Sequence, residues 1–209
     1  MATRLNILFL TLSFCVAATT NATPFQTFAD MTLSQGGGEP ANSVTVKETL
    51  SSLKNLQQNT STMYSSGLPE LRHFVALKAQ GLTHVIDLLP GDRNDEEQAT
   101  ATLELNYLNI PVEWDAPSLA NFLTYASHME TVNSENGTVL THCKLNWRGA
   151  TFTYLYRVAI LGEQEADAKQ DLMRIWHPNA TWYAFMQQVL NHYNTLNDTQ
   201  LGMSFRPAP

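Results

Sequence analysis

Cysteine is scarce in this chain: 209 residues carry two, Cys15 and Cys143. Basic residues are also few, 12 Lys and Arg against 19 Asp and Glu, for a net charge of −7. No basic stripe or patch is present, which argues against a nucleic-acid partner. Long apolar runs are missing outside the first residues, so stable membrane insertion is not expected. No internal repeat or heptad pattern appears, which excludes a solenoid or coiled coil. His73, His84, His128, His142, His177 and His192 show no metal-ligand spacing, so neither a metal nor a cofactor is expected.

What is present begins with a leader-like segment over residues 1–22. Arg4 gives a positive start and Ile7 to Ala18 an apolar stretch too short to span a bilayer. Cleavage is expected after Ala22 or Ala18, which implies a periplasmic or secreted protein. Loss of the leader removes Cys15 and leaves Cys143 as a lone thiol, a pattern that suggests a reactive role. Residues 23–43, with Gly36-Gly37-Gly38-Glu39-Pro40, read as a flexible lead-in. Asn-X-Ser/Thr triplets at Asn136 and Asn179 are read as chance in a Thr- and Asn-rich chain.

Cys143 sits in Val139-Leu140-Thr141-His142-Cys143-Lys144-Leu145-Asn146-Trp147-Arg148-Gly149. An apolar strand runs into a His-Cys pair, a tight polar loop follows, and a helix begins. Such a loop aims backbone N–H groups and a helix N-terminus at one spot, which suits an anion. The same dipoles favour an ionised sulfur. Arg148 adds a planar guanidinium matched to an oxyanion. His142 would orient the loop by hydrogen bonding. Lys144 would extend the positive rim, or simply be solvated. Trp147 would line the pocket mouth or pack, and Thr151 would donate to the sulfur or be an ordinary buried residue. The competing reading of Cys143 is a small buried hydrophobe at a strand end.

The rest of the chain alternates. Residues 44–58 suggest a helix with Leu50, Leu53 and Leu56 on one face, and Met63-Tyr64-Ser65 a strand. Helices are predicted over 70–80, 92–104, 119–132, 150–161, 163–175 and 179–195, and strands over 83–89, 107–112 and 137–143. The continuous apolar run Thr83 to Leu89, bounded by Gly81 and Pro90-Gly91, suits a strand buried on both faces. The expected fold is α/β, three layers, with a central, mostly parallel sheet of four to five strands flanked by helices. A single domain over 44–195 would be followed by a loose tail, 196–209. Cys143 then lies at the carboxyl end of a central strand, where such folds bind ligands.

Chemistry through a cysteine loop of this kind can be phosphoryl transfer, in which a general acid protonates the leaving oxygen. Asp115, in a loop after a strand and followed by Ala116-Pro117, is the first candidate; otherwise it is a helix N-cap. Asp87, mid-strand, and Asp92, in the neighbouring loop, are rivals.

These residues resemble the cysteine-dependent protein tyrosine and dual-specificity phosphatase superfamily over roughly residues 60–162. The matching stretches are Tyr64-Ser65-Ser66-Gly67-Leu68-Pro69, Gly81 through Leu89, Leu108-Asn109-Ile110-Pro111-Val112 with Asp115, and Val139 through Arg148. The resemblance implies Cys143 as nucleophile, Arg148 as phosphate clamp and Asp115 as acid. Lys144, Leu145, Asn146, Trp147 and Gly149 would form the substrate cradle, with His142 and Thr151 in support. It also implies a phosphorylated small molecule or phosphoprotein as substrate. The superfamily signature has five residues between Cys and Arg; here there are four, Lys144 to Trp147. The usual loop glycine is absent, and Asn146 is expected to take its place with φ > 0. The Ser or Thr that usually follows the Arg is Gly149. The short loop keeps two alternatives open, a rhodanese-like sulfurtransferase with a persulfide on Cys143 and a non-catalytic anion-binding module.

Overall fold

The computed structural model describes residues 45–209; the leader and the lead-in read from the sequence lie outside them. Twelve elements follow one another: α1 (Val46–Ser51), β1 (Gln57–Gln58), β2 (Met63–Ser66), α2 (Leu71–Lys78), β3 (His84–Asp87), α3 (Asn94–Thr102), β4 (Asn106–Asn109), α4 (Leu119–Ser134), β5 (Val139–His142), α5 (Trp147–Ala159), α6 (Glu165–Ile175) and α7 (Ala180–Asn197). The strands form one five-stranded sheet in the order β1-β2-β5-β3-β4. β2, β5, β3 and β4 run parallel, and only β1 is antiparallel, to β2. The sheet is therefore mostly parallel, as expected, and β5 lies at its centre.

Alternation along each strand sorts side chains between two cores. Met63, Ile86 and Val139 enter a core with residues of α4, α5, α6 and α7. Their neighbours Tyr64, Val85 and Leu140 enter a second core with α1 and α2. This two-sided burial explains why the strands read as unbroken apolar runs. Beyond Leu140 the alternation continues. Thr141 faces α4, where its hydroxyl meets Tyr125 Oη at 3.1 Å. His142 faces the other core, edge-on to Phe74 at 6.2 Å. Cys143 returns to the α4–α7 side.

Two expectations need correction. The helix read over 44–58 ends at Ser51, because Asn55 adopts a left-handed conformation (φ 51°) and the chain turns into β1. Leu50 and Leu53 are still buried, through a helix and then a turn. The Asp115–Ser118 turn does cap α4, through Ser118 in a capping box with Asn121, so the alternative reading of Asp115 as the N-cap falls away. The tail is docked, not loose. Asn194 exchanges hydrogen bonds with Leu201, and Ala208 N–H donates to the Pro178 carbonyl at 2.8 Å. Leu201, Met203 and Phe205 pack on the main core. Asn179, one of the triplet asparagines, is the N-cap of α7, its Oδ1 accepting from Trp182 N–H at 3.1 Å.

Asp87, at the end of β3, is fully buried and holds the loops above the sheet together. Its carboxylate accepts from Leu89 N–H at 2.9 Å, from the Arg93 guanidinium and from Tyr107 Oη at 3.0 Å. Burial, and then the charges of Asp87 and Glu96, push the Tyr107 hydroxyl well above its ordinary pKa. This network makes Asp87 structural and removes it as a rival acid. Asp87→Ala would remove the acceptor of Leu89, Arg93 and Tyr107 and leave Arg93 to Glu96 alone, and leaving such donors without their partner costs about 1–3 kcal/mol. Urea denaturation should show that loss; a change within about 0.5 kcal/mol, the range of ordinary surface substitutions, would contradict it.

Candidate active site

The loop Cys143–Arg148 leaves the central strand and enters α5. Cys143 is a free thiol, 1% exposed, at its base. Its N–H donates to the Ser66 carbonyl at 3.2 Å, so the loop starts under the control of β2. Lys144 is exposed, and its carbonyl accepts from Leu68 N–H at 3.3 Å. Gly67 pairs with Leu145 in an isolated antiparallel bridge. A Cβ on Gly67 would stand 2.9 Å from Lys54 Cβ and 3.1 Å from the Lys144 carbonyl, so only glycine lets these chains approach.

Asn146 makes the turn. It has φ 67° and ψ 5°, the left-handed conformation expected for the residue replacing the loop glycine. Its side chain is fully buried and does not cap α5. Asn146 Nδ2 donates to the Asn55 carbonyl at 2.8 Å and to Ser65 Oγ at 3.1 Å. Asn55 Nδ2 donates back to the Leu145 carbonyl at 2.9 Å. Two left-handed asparagines thus clasp each other's backbone. Because Asn146 is committed there, the N–H groups of Trp147, Arg148 and Gly149, the first turn of α5, keep their free donor character. Free donors at a helix N-terminus suit an anion.

The side chain of Asn146 also explains Gly149. A Cβ there would lie 2.5 Å from Asn146 Oδ1 and 3.1 Å from the Thr141 carbonyl. The residue after the arginine has no room for a hydroxymethyl group. The two departures from the usual signature are one steric arrangement.

Arg148 is half-buried. Its Nε donates to the Val112 carbonyl at 2.9 Å, and its Cζ lies 5.2 Å from the centre of the Trp114 ring. No carboxylate pairs with it among the described residues, which leaves the Nη groups for an anion. The segment carrying Asp115 is thereby joined to the Cys143 loop through Arg148. Asp115 is exposed and makes no hydrogen bond among the described residues. Asp92 is exposed and accepts from Asn94 N–H at 3.0 Å, a local turn bond. Thr151 is buried, and its hydroxyl donates to the Trp147 carbonyl at 2.9 Å, not to the sulfur.

His142 is not beside the sulfur. Its ring points to the opposite core, with Nε2 2.8 Å from Glu96 Oε1 and Nδ1 3.8 Å from Asp87 Oδ1. Neither ring nitrogen makes a well-aligned hydrogen bond among the described residues. Asp87, Glu96 and His142 are close enough to offer donors to a metal ion. Arg93 bridges the two carboxylates through the oxygens turned away from His142: its Nε bonds Asp87 Oδ2, and its Nη2 bonds Glu96 Oε2 at 2.7 Å. The cluster reads as a buried charge network that braces β3, α3 and β5.

Sequence reasoning missed Asn55, Ser65 and the indoles of Trp114, Trp176 and Trp182. The Trp114 ring lies 5.5, 5.4 and 5.1 Å from those of Trp147, Trp176 and Trp182. Trp147 stacks on Trp176 at 5.3 Å with 6° between planes. All four tryptophans of the chain meet beside the loop. Only Asn55 left a readable trace, as a second Asn suited to a left-handed turn.

The clasp gives a prediction. Gly149→Ser should destabilise by about 1–3 kcal/mol through overpacking. Asn146→Gly should cost about 0.5–1.5 kcal/mol for each lost hydrogen bond. Combined, the two should cost less than their sum, with a coupling of about 0.5 kcal/mol or more in a urea double-mutant cycle. Strict additivity would refute the shared steric origin.

No protein-family model matches the sequence, and no curated protein shows significant similarity to it. Solved structures do. A protein of the DUF442 group from Shewanella putrefaciens, assigned as a phosphatase, is 28% identical, with TM-score 0.61 over 70% of this chain and 97% of that one. TpbA from Pseudomonas aeruginosa is 19% identical, with TM-score 0.56 over 70% of this chain and 92% of its own. The catalytic domain of the PP-IP phosphatase SIW14 from Saccharomyces cerevisiae is 14% identical, with TM-score 0.55 over 70% and 94%. With a thiol loop at the end of its central strand, the chain has the fold of these solved phosphatase structures.

Proposed function

We propose that the protein is a phosphatase that hydrolyses a phosphate monoester through a phospho-cysteine on Cys143. The observation that carries this reading is the loop itself. One residue short, it still turns through Asn146 into α5 with the first-turn N–H groups uncapped and the Arg148 Nη groups unpaired. Among the neighbours, TpbA has been solved as a Cys-to-Ser variant in complex with phosphotyrosine.

In the proposed reaction the Cys143 thiolate attacks phosphorus as the bond to the leaving oxygen breaks. The Asp115 carboxyl group gives its proton to that oxygen. Charge on the equatorial phosphoryl oxygens meets the α5 N–H groups and the Arg148 guanidinium, which need not reorganise. Water then attacks phosphorus, its proton passes to the Asp115 carboxylate, the phosphorus–sulfur bond breaks and the thiolate returns. Burial of Cys143 beneath the loop keeps the sulfur in one position; the substrate reaches it from the loop side.

Hydrolysis of p-nitrophenyl phosphate tests this. Cys143→Ser should abolish turnover. Arg148→Lys should lower kcat about 10²–10³-fold, the usual cost of an oxyanion donor. Asp115→Asn should lower it about 10²-fold or more, the scale of general-acid catalysis. Turnover unchanged in Cys143→Ser would overturn the reading.

A further inference from the structure

The C-terminal third of the chain lies beyond the sheet, yet it reaches the site. Asp115 is exposed, and its carboxylate has no partner among the described residues. Its position is therefore set by the backbone that carries it. That backbone is tied twice. The Val112 carbonyl accepts from Arg148 Nε at 2.9 Å, and the Trp114 carbonyl, one residue before Asp115, accepts from Trp182 Nε1 at 3.0 Å. Trp182 is fully buried in the first turn of α7. Its ring packs on Phe185 at 5.6 Å as well as on Trp114. It is an anchor on the core side and a hydrogen-bond donor on the loop side.

Trp176 completes the link. It stands at the end of α6, stacked on Trp147 of the cysteine loop and 5.4 Å from Trp114 of the acid loop. Both indoles flank the corner between α6 and α7, and the tail holds that corner. His177 Nε2 lies 2.7 Å from the Arg206 carbonyl, Ala208 N–H donates to Pro178, and Phe205 packs against Tyr183 at 5.8 Å.

We propose that Trp182, with Trp176, is a positioning residue that holds the Asp115 loop against the Cys143–Arg148 loop, so that the C-terminal helices and tail set the general acid. This rests on the phosphatase reading and assigns a task to residues 163–209. A general acid works only within hydrogen-bond reach of the leaving oxygen. Loops that close on substrate spend part of each turnover open. Here aromatic packing and the Trp182 hydrogen bond to the Trp114 carbonyl fix the loop in advance, and pre-set geometry of this kind contributes directly to rate.

The test separates acid catalysis from general damage by varying the leaving group. Phenyl phosphate needs a proton on its departing oxygen, whereas 2,4-dinitrophenyl phosphate leaves without one. The readout is kcat/KM, which reports the phosphoryl-transfer step. Trp182→Phe keeps an aromatic ring but removes the donor. It should lower kcat/KM for phenyl phosphate about tenfold, part of the 10²–10⁴ available from an acid, and change that for the dinitrophenyl ester less than about twofold. Trp176→Phe, which has no hydrogen bond to lose, should shift the same ratio in the same direction and serves if Trp182→Phe does not fold. Equal changes for both substrates, or none, overturn the proposal. Asp115→Asn run alongside locates the failure. If it shows the leaving-group effect and the Trp variants do not, only the positioning role falls; if it shows none, the assignment of the acid falls, and this proposal with it.

Discussion

The clasp between Asn146 and Asn55 is the constraint on which the site depends. A loop with four residues between cysteine and arginine must reverse direction in few bonds. It does so by placing Asn146 in the left-handed region, a conformation that a residue with a side chain adopts at some cost. Three hydrogen bonds, to the Asn55 carbonyl, to Ser65 Oγ and back to the Leu145 carbonyl, offset that cost. Since the side chain is spent on the clasp, it cannot cap α5. The helix thus begins with open donors, and in the proposed function their availability to an anion follows from where one amide group points.

The same turn sets what surrounds it. Gly149 is required because Asn146 Oδ1 occupies the space a Cβ would need. Arg148, in the first turn of α5, reaches the Val112 carbonyl and the face of Trp114. Below the loop, Asp87, Arg93, Glu96 and Tyr107 tie β3, α3 and β4 together, and His142 joins them from β5. Above it, four indoles join the cysteine loop, the acid loop and the C-terminal helices. Rigid support on both sides of a short loop is what a site with little slack of its own needs.

Much of this was legible in the sequence. The apolar runs at 83–89 and 139–143, bounded by glycine and proline, announced buried parallel strands, and the alternation with helical segments announced the layers. The site was legible wherever its parts were adjacent in the chain, as from His142 to Gly149. The opposite orientation of His142 and Cys143 follows from period two along β5, which adjacency in sequence disguised. β1 was missed because Gln57 and Gln58 carry no apolar signal and pair only because β2 offers an edge. The tail was misjudged from its polar and proline-containing look, although Leu201, Met203 and Phe205 repeat at every second position. The tryptophan cluster and the partnership of Asn55 with Asn146 join residues far apart in sequence, and no local pattern reports such contacts.

The central claim is that a six-residue stretch from Cys143 to Arg148 still wraps an oxyanion and presents the sulfur to it. A crystal structure with orthovanadate tests this most directly. The account predicts vanadium bonded to Cys143 Sγ, with the Trp147, Arg148 and Gly149 N–H groups and the Arg148 guanidinium around its oxygens. Vanadate absent from the loop at saturating concentration, or bound elsewhere with the sulfur unliganded, would contradict it.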